Sequence, residues 1–200
     1  MRRGRGHSEE CNNTVGIITA DKNCRNTYIW LAIAAANYLT GVRRKRVAVA
    51  GMAGTNELEN LAWYYGEKLR EGTFSLFGVR YYPCYREGIM QKLMNGGFEY
   101  IIFNGGQGLK NNYKELLGCQ RKIVAGSLKA WEEKEYAEAL QQLTDSEVLG
   151  NSWRFVAECF DDRDKRRLEK QFGISIISLP CGINPFYIKR TEFAFFEALL

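Results

Sequence analysis

Histidine is almost missing from this chain: of 200 residues only His7 is one, and it lies in a polar stretch without a metal-binding neighbour. A Ser-His-Asp or Cys-His catalytic arrangement is thereby excluded. The six cysteines, at 11, 24, 84, 119, 159 and 181, form no Cys-x-x-Cys pair, so no zinc site is expected. Cys84, Cys119, Cys159 and Cys181 read as reduced, buried apolar residues of a cytoplasmic protein. Long apolar runs are missing too. The longest, residues 29–39, is much shorter than the ~20 residues that span a bilayer, which excludes a transmembrane helix there. The opening Met-Arg-Arg-Gly-Arg-Gly-His is basic but leads into Ser-Glu-Glu-Cys-Asn-Asn instead of an apolar signal core, so secretion is not expected.

What is present is the composition of a folded domain, with 46% hydrophobic and 26% charged residues. A chain of this length buries roughly 70% of its extended surface, enough for one sizeable core. We expect a flexible basic tail over residues 1–12 and a single domain over 13–200. The net charge of +5 comes partly from the first arginines and from the basic run at 43–46. Without interleaved aromatics, those clusters give no strong nucleic-acid signal.

Strand and helix patterns alternate along the chain. Apolar, β-branched runs at 15–18, 46–50, 74–82, 98–103, 122–125, 154–159 and 174–179 read as strands, the third as a strand or a hairpin near the sheet edge. Between and after them lie helical patterns at 27–39, 55 onward, 86–94, 113–117, 128–143, 162–172 and 186–200, with Gly41 and Gly173 as C-terminal stops. Such alternation predicts an α/β fold with a mainly parallel sheet of about seven strands and helices on both faces.

The loop Thr-Ala-Asp-Lys-Asn-Cys-Arg-Asn-Thr-Tyr at 19–28 lies between the first strand and the first helix, where a phosphate-binding loop would lie. Such a loop needs glycines that let backbone N–H groups close on phosphate, a lysine, and a hydroxyl for magnesium. This one offers Asn23, Asn26, Thr27 and Tyr28 instead. Two readings stay open: turn and N-cap residues starting a helix, or a weakened anion site formed by Lys22, Arg25 and the helix N–H groups.

Counted from Lys22, the loop resembles the Lys-Gly-Gly-x-Gly-Lys-Ser/Thr loop of the MinD/ParA branch of P-loop ATPases. Asn23, Cys24 and Asn26 fall on its glycines, Thr27 on its phosphate-binding lysine and Tyr28 on its magnesium-binding hydroxyl. The Ala-rich helix at 32–39, Arg46-Val-Ala-Val-Ala, Tyr100-Ile-Ile-Phe-Asn-Gly-Gly at the Walker B place and Ile174-Ser-Ile-Ile-Ser-Leu-Pro carry the resemblance over nearly the whole chain. The phrase at 119–128, with Trp131, is similar to CpaE-like bacterial proteins whose loops have eroded.

The resemblance implies a three-layer α/β/α sandwich of the P-loop NTPase type. Its nucleotide or anion site would comprise Lys22, Asn23, Arg25, Asn26, Thr27, Tyr28, Asn104, Gly105 and Gly106. In active relatives the place of Asn104 holds the aspartate that orders the magnesium shell, a second carboxylate lies near Ala50 or Gly51, and the lysine at the place of Lys22 reaches across a dimer. Thr27, Tyr28 and Asn104 together remove the lysine, the hydroxyl and the carboxylate on which phosphoryl transfer depends. The implied protein is a pseudo-ATPase without a cofactor, a non-hydrolysing scaffold for an assembly such as a pilus or secretion machine. It would be cytoplasmic or peripheral to the inner membrane face, and would bind a protein partner or a second copy through the degenerate nucleotide face. Two alternatives remain: an ATPase binding ATP and magnesium through unconventional residues, and a peripheral membrane or nucleic-acid adaptor.

Elsewhere, Asp161, Asp162 and Asp164 read as a helix N-terminus or a metal cluster, and Trp63, Tyr64, Tyr65, Tyr81, Tyr82 and Tyr85 as core or as an exposed docking patch.

Overall fold

Eight apolar segments pair into one sheet. The computed structural model describes residues 13–20, 27–51, 56–84, 89–107, 109–159 and 161–200, apart from the side chains of 27, 28, 90, 107 and 109–112. The strands are β1 (Asn13–Thr19), β2 (Val47–Gly51), β3 (Phe74–Leu76), β4 (Val79–Tyr82), β5 (Tyr100–Gln107), β6 (Arg121–Ser127), β7 (Trp153–Glu158) and β8 (Ile176–Ser178). Their order is β3-β4-β2-β5-β1-β6-β7-β8, and every neighbouring pair is parallel except β3 with β4.

The helices are α1 (Thr27–Asn37), α2 (Glu57–Tyr64), α3 (Ile89–Met94), α4 (Leu109–Gly118), α5 (Glu133–Asp145), α6 (Asp162–Phe172) and α7 (Phe193–Leu199). They cover both faces, which is why the central strands are buried along nearly their whole length. Val47 and Val49 join the core that contains α1, while Ala48 and Ala50 join the opposite one with Leu93 of α3. Ile18, Leu116, Leu140 and Leu168 form the core beneath α4, α5 and α6. Gly126 lets the buried ring of Tyr136 lie directly on β6, where any Cβ would collide with it.

The expected alternation holds, with one more strand than the seven anticipated. Residues 74–82 form an edge hairpin, because Phe77 and Gly78 turn the chain with φ 50° and 82°. The first helix does not stop at Gly41. A π-helical turn, Tyr38–Val42, carries the chain through it, and Arg44 takes the left-handed conformation instead (φ 57°). At 128–132 and 186–189 the expected helices are absent. The last begins with a 3-10 turn, Arg190–Glu192, whose Glu192 carboxylate accepts from Lys189 N–H at 2.7 Å. Of the described cysteines, Cys119 is buried, Cys159 half-buried, and Cys84 and Cys181 exposed, so the expected burial fails for Cys84 and Cys181.

Candidate functional site

The direction of the chain across the sheet locates a crevice. β1 leads through α1 to β2 on one side, and β5 leads through α4 to β6 on the other, so the path reverses between β1 and β5. Open α/β sheets bind ligands outside the carboxyl ends of their strands at such a point.

Asn104 stands there. It pairs in register with Ile17 of β1 and Gly51 of β2, and it is 1% exposed. By strand alternation its side chain lies on the face of Ile102, toward α1. Among the described residues neither its amide nitrogen nor its amide oxygen has a hydrogen-bond partner. A buried amide in that state costs about 1–3 kcal/mol.

Gly105 and Gly106 extend β5. The reason is a bulge: Ile17 faces Asn104 and Thr19 faces Gln107, leaving extra length on β5 that Gly106 absorbs at φ 70°. Gly105 packs so tightly on β1 that a Cβ would lie 2.5 Å from Ile18 Cγ2. Of the other anticipated site residues, Thr27 and Tyr28 open α1, and Lys22, Asn23, Arg25 and Asn26 lie outside the described residues.

Beside the crevice, at the ends of β7 and β8, is a cavity of about 270 Å³ lined by Trp30 of α1, Glu158 and residues 179–183. Trp30 Nε1 donates to the Ile183 carbonyl at 3.0 Å, which fixes the indole as one wall. Glu158 is held by Lys129 Nζ at 2.7 Å. Sequence reasoning missed Glu158 and Lys129; the available signal was a charged residue just at or after the end of each of two adjacent strands.

The three aspartates resolve as a helix start. Asp161 caps α6 by accepting from Arg163 N–H at 2.8 Å, and Asp164 lies 3.5 Å from Arg167. Among the described residues no group of three or more His, Cys, Asp or Glu converges to hold a metal. Nor is any helix among them long and apolar enough to cross a membrane. The aromatic set divides: Tyr81 and Tyr82 are buried, Trp63, Tyr64 and Tyr65 are exposed, and Tyr85 lies outside the described residues.

No family model matches the sequence, and no curated protein matches it as a relative. Solved structures do match its shape. A ParA family ATPase from Chlorobium tepidum superposes with a TM-score of 0.58 at 10% identity, over 94% of this chain and 90% of that one. A putative plasmid partition protein from Borrelia burgdorferi, solved bound to AMPPNP, gives 0.57 at 12% identity, over 94% and 97%. The MinC:MinD cell division protein complex from Aquifex aeolicus gives 0.54 at 12%, over 90% and 84%. The chain therefore has the fold of the MinD/ParA P-loop ATPases.

Proposed function

We propose that this chain is a non-hydrolysing interaction protein built on the MinD/ParA fold, docking a protein partner or a second copy through the face that in the ATPases holds nucleotide. The observation that carries the reading is Asn104. A neutral amide stands at the buried end of the central strand, and the described ends of β1, β2 and β5 carry no carboxylate to charge a magnesium shell. The described residues thus do not fit a magnesium–triphosphate, and no catalytic step is derived through one. A MinD neighbour is solved together with MinC, which supports a partner-binding use of the same architecture.

ATP and magnesium added to the purified chain are expected to give no phosphate release above a blank and no rise in melting temperature. Turnover that vanishes in Lys22→Ala would overturn the reading in favour of an unconventional ATPase. Placing Gly at 26, Lys at 27 and Thr at 28 is expected to leave the chain inactive, since Asn104 remains. Reversal of Lys22 and Arg25 to Glu is expected to weaken self-association or partner capture while leaving stability within about 0.5 kcal/mol.

A further inference from the structure

A second surface lies at the outer edge of the sheet, away from the crevice, and does not depend on the reading above. The C-terminus of α2, the tip of the β3–β4 hairpin and the 186–187 segment meet there in one cluster of rings. Tyr65 contacts Tyr64, Phe77 and Phe186 at centroid distances of 5.0, 5.7 and 5.4 Å. The cluster is not core: Tyr64 remains 74% and Phe77 57% exposed.

Phe77 is the informative residue. It occupies the first position of a two-residue hairpin turn in the left-handed conformation (φ 50°), a place suited to Asn, Asp or Gly and unfavourable for a bulky side chain. Its contacts with Tyr65 and Phe186 cover only part of the ring. Folding alone gives no reason for this choice.

Next to the rings, β3 has β4 as its one neighbour in the sheet among the described residues. Leu76 faces Val79 across the turn and Ser75 faces Arg80, so ladder alternation leaves the Ser75 N–H and C=O pointing away from β4. Ser75 lines a cleft of about 400 Å³ with Lys68, Arg70, Thr73 and Arg80, opposed by the single carboxylate of Glu67. Arg80 Nη1 reaches Thr73 Oγ1 at 3.4 Å, and among the described residues no ion pair engages Lys68, Arg70 or Arg80. Aromatic residues and arginine beside an open strand edge are the composition of a protein interface hot spot.

We infer that the β3 edge docks an extended acidic segment of a partner protein, with its apolar side chains on the Tyr64–Phe77 rings and its carboxylates in the Lys68–Arg70–Arg80 cleft. A second copy of the chain is disfavoured, because two-fold apposition would set the unpaired cations against each other. A bilayer is disfavoured because the cations sit in a notch beside Glu67, and do not form a planar cationic excess.

The test is selection of a random peptide library displayed on phage against the full chain, followed by binding of the leading synthetic peptide to two variants. Enrichment of Asp and Glu alternating with apolar residues is expected. Affinity should fall tenfold or more both in Phe77→Asn and in the triple variant Lys68→Glu, Arg70→Glu, Arg80→Glu. Phe77→Asn should also melt above the wild type, so weaker binding cannot be ascribed to misfolding. Peptides without acidic bias, or equal binding by both variants, overturn the proposal. So does sedimentation with phosphatidylserine vesicles that is lost in Phe77→Asn, which gives the surface to lipid, or self-association lost in both variants, which gives it to a second copy.

Discussion

The two ends of strand β5 are finished in opposite ways. At its start, the Glu99 carboxylate accepts from Lys45 Nζ at 2.8 Å and from Arg46 N–H at 3.0 Å, and the Glu99 carbonyl accepts from Asn13 N–H at 2.9 Å. One residue there ties β5 to the chain entering β1 and β2. At the other end Asn104, more deeply buried, has no partner among the described residues for either amide atom. Unpaired buried polar groups are rare in native proteins, because each forfeits its hydration without return. The start of the strand is therefore explained by folding, and its end is not. The open end is also the end that carries the proposed docking face.

The largest way to break this contrast lies on the finished side. Phe196 is fully buried and stacks on Tyr38 at 5.0 Å, while Arg121 and Arg154 donate to the Leu199 and Ala198 carbonyls at 3.4 and 3.3 Å. Cations on those last carbonyls also suit the negative end of the helix. Phe196→Ala is expected to cost about 3–5 kcal/mol in urea unfolding, as emptying a packed aromatic site does. An unchanged midpoint, with the wild type sedimenting on anionic vesicles, would mean that α7 serves a membrane and not the core.

Next in size is a stabilisation at the open side. Replacing Asn104 by Leu removes two atoms unsatisfied among the described residues while keeping the number and branching of side-chain heavy atoms, and is expected to gain about 1–3 kcal/mol. A loss of stability instead would show that Asn104 has a partner in solution, and the two strand ends would cease to differ. Phe77→Asn sharpens the same lesson on the outer edge: relief of the left-handed strain is worth about 1 kcal/mol, read as a higher melting temperature.

The fold was legible because each βα unit states its period locally. The runs at 47–51 and 123–126 are apolar without interruption, as strands covered on both faces must be, and the Asp161 cap and Gly173 stop delimit α6 to the residue. What was illegible depends on partners distant in sequence. Gly41 reads as a helix stop, but π-helical bonding passes through it. Gly105 and Gly106 are of a residue type that commonly ends a strand in a turn, whereas pairing with β1 draws them into the strand as a bulge. At the site, position 104 could be singled out from sequence, but the isolation of its amide could not, since that follows from what three strands and α1 fail to offer. The Glu158–Lys129 pair was missed for the same reason: β7 and β6 are brought side by side only by the sheet.

The smallest expected effect returns to Glu99. Its carboxyl is held below the ordinary range, first by the hydrogen bond from Lys45, then by the Arg46 N–H, and the same contact raises Lys45. An acid whose pKa falls on folding contributes stability above its unfolded value, near 4.3, and loses that contribution as pH drops through the folded value. Glu99→Gln should therefore melt slightly below the wild type at neutral pH, with the gap closing in acid and narrowing in salt, since the pair faces solvent. Lys45 titrates far above this window and leaves the sign unaltered. The Asn104→Leu gain should instead persist across the same acid range, because an amide does not ionise. A Glu99→Gln gap that stays constant with pH would show that backbone pairing at this edge, and not the carboxylate's charge, finishes the start of β5.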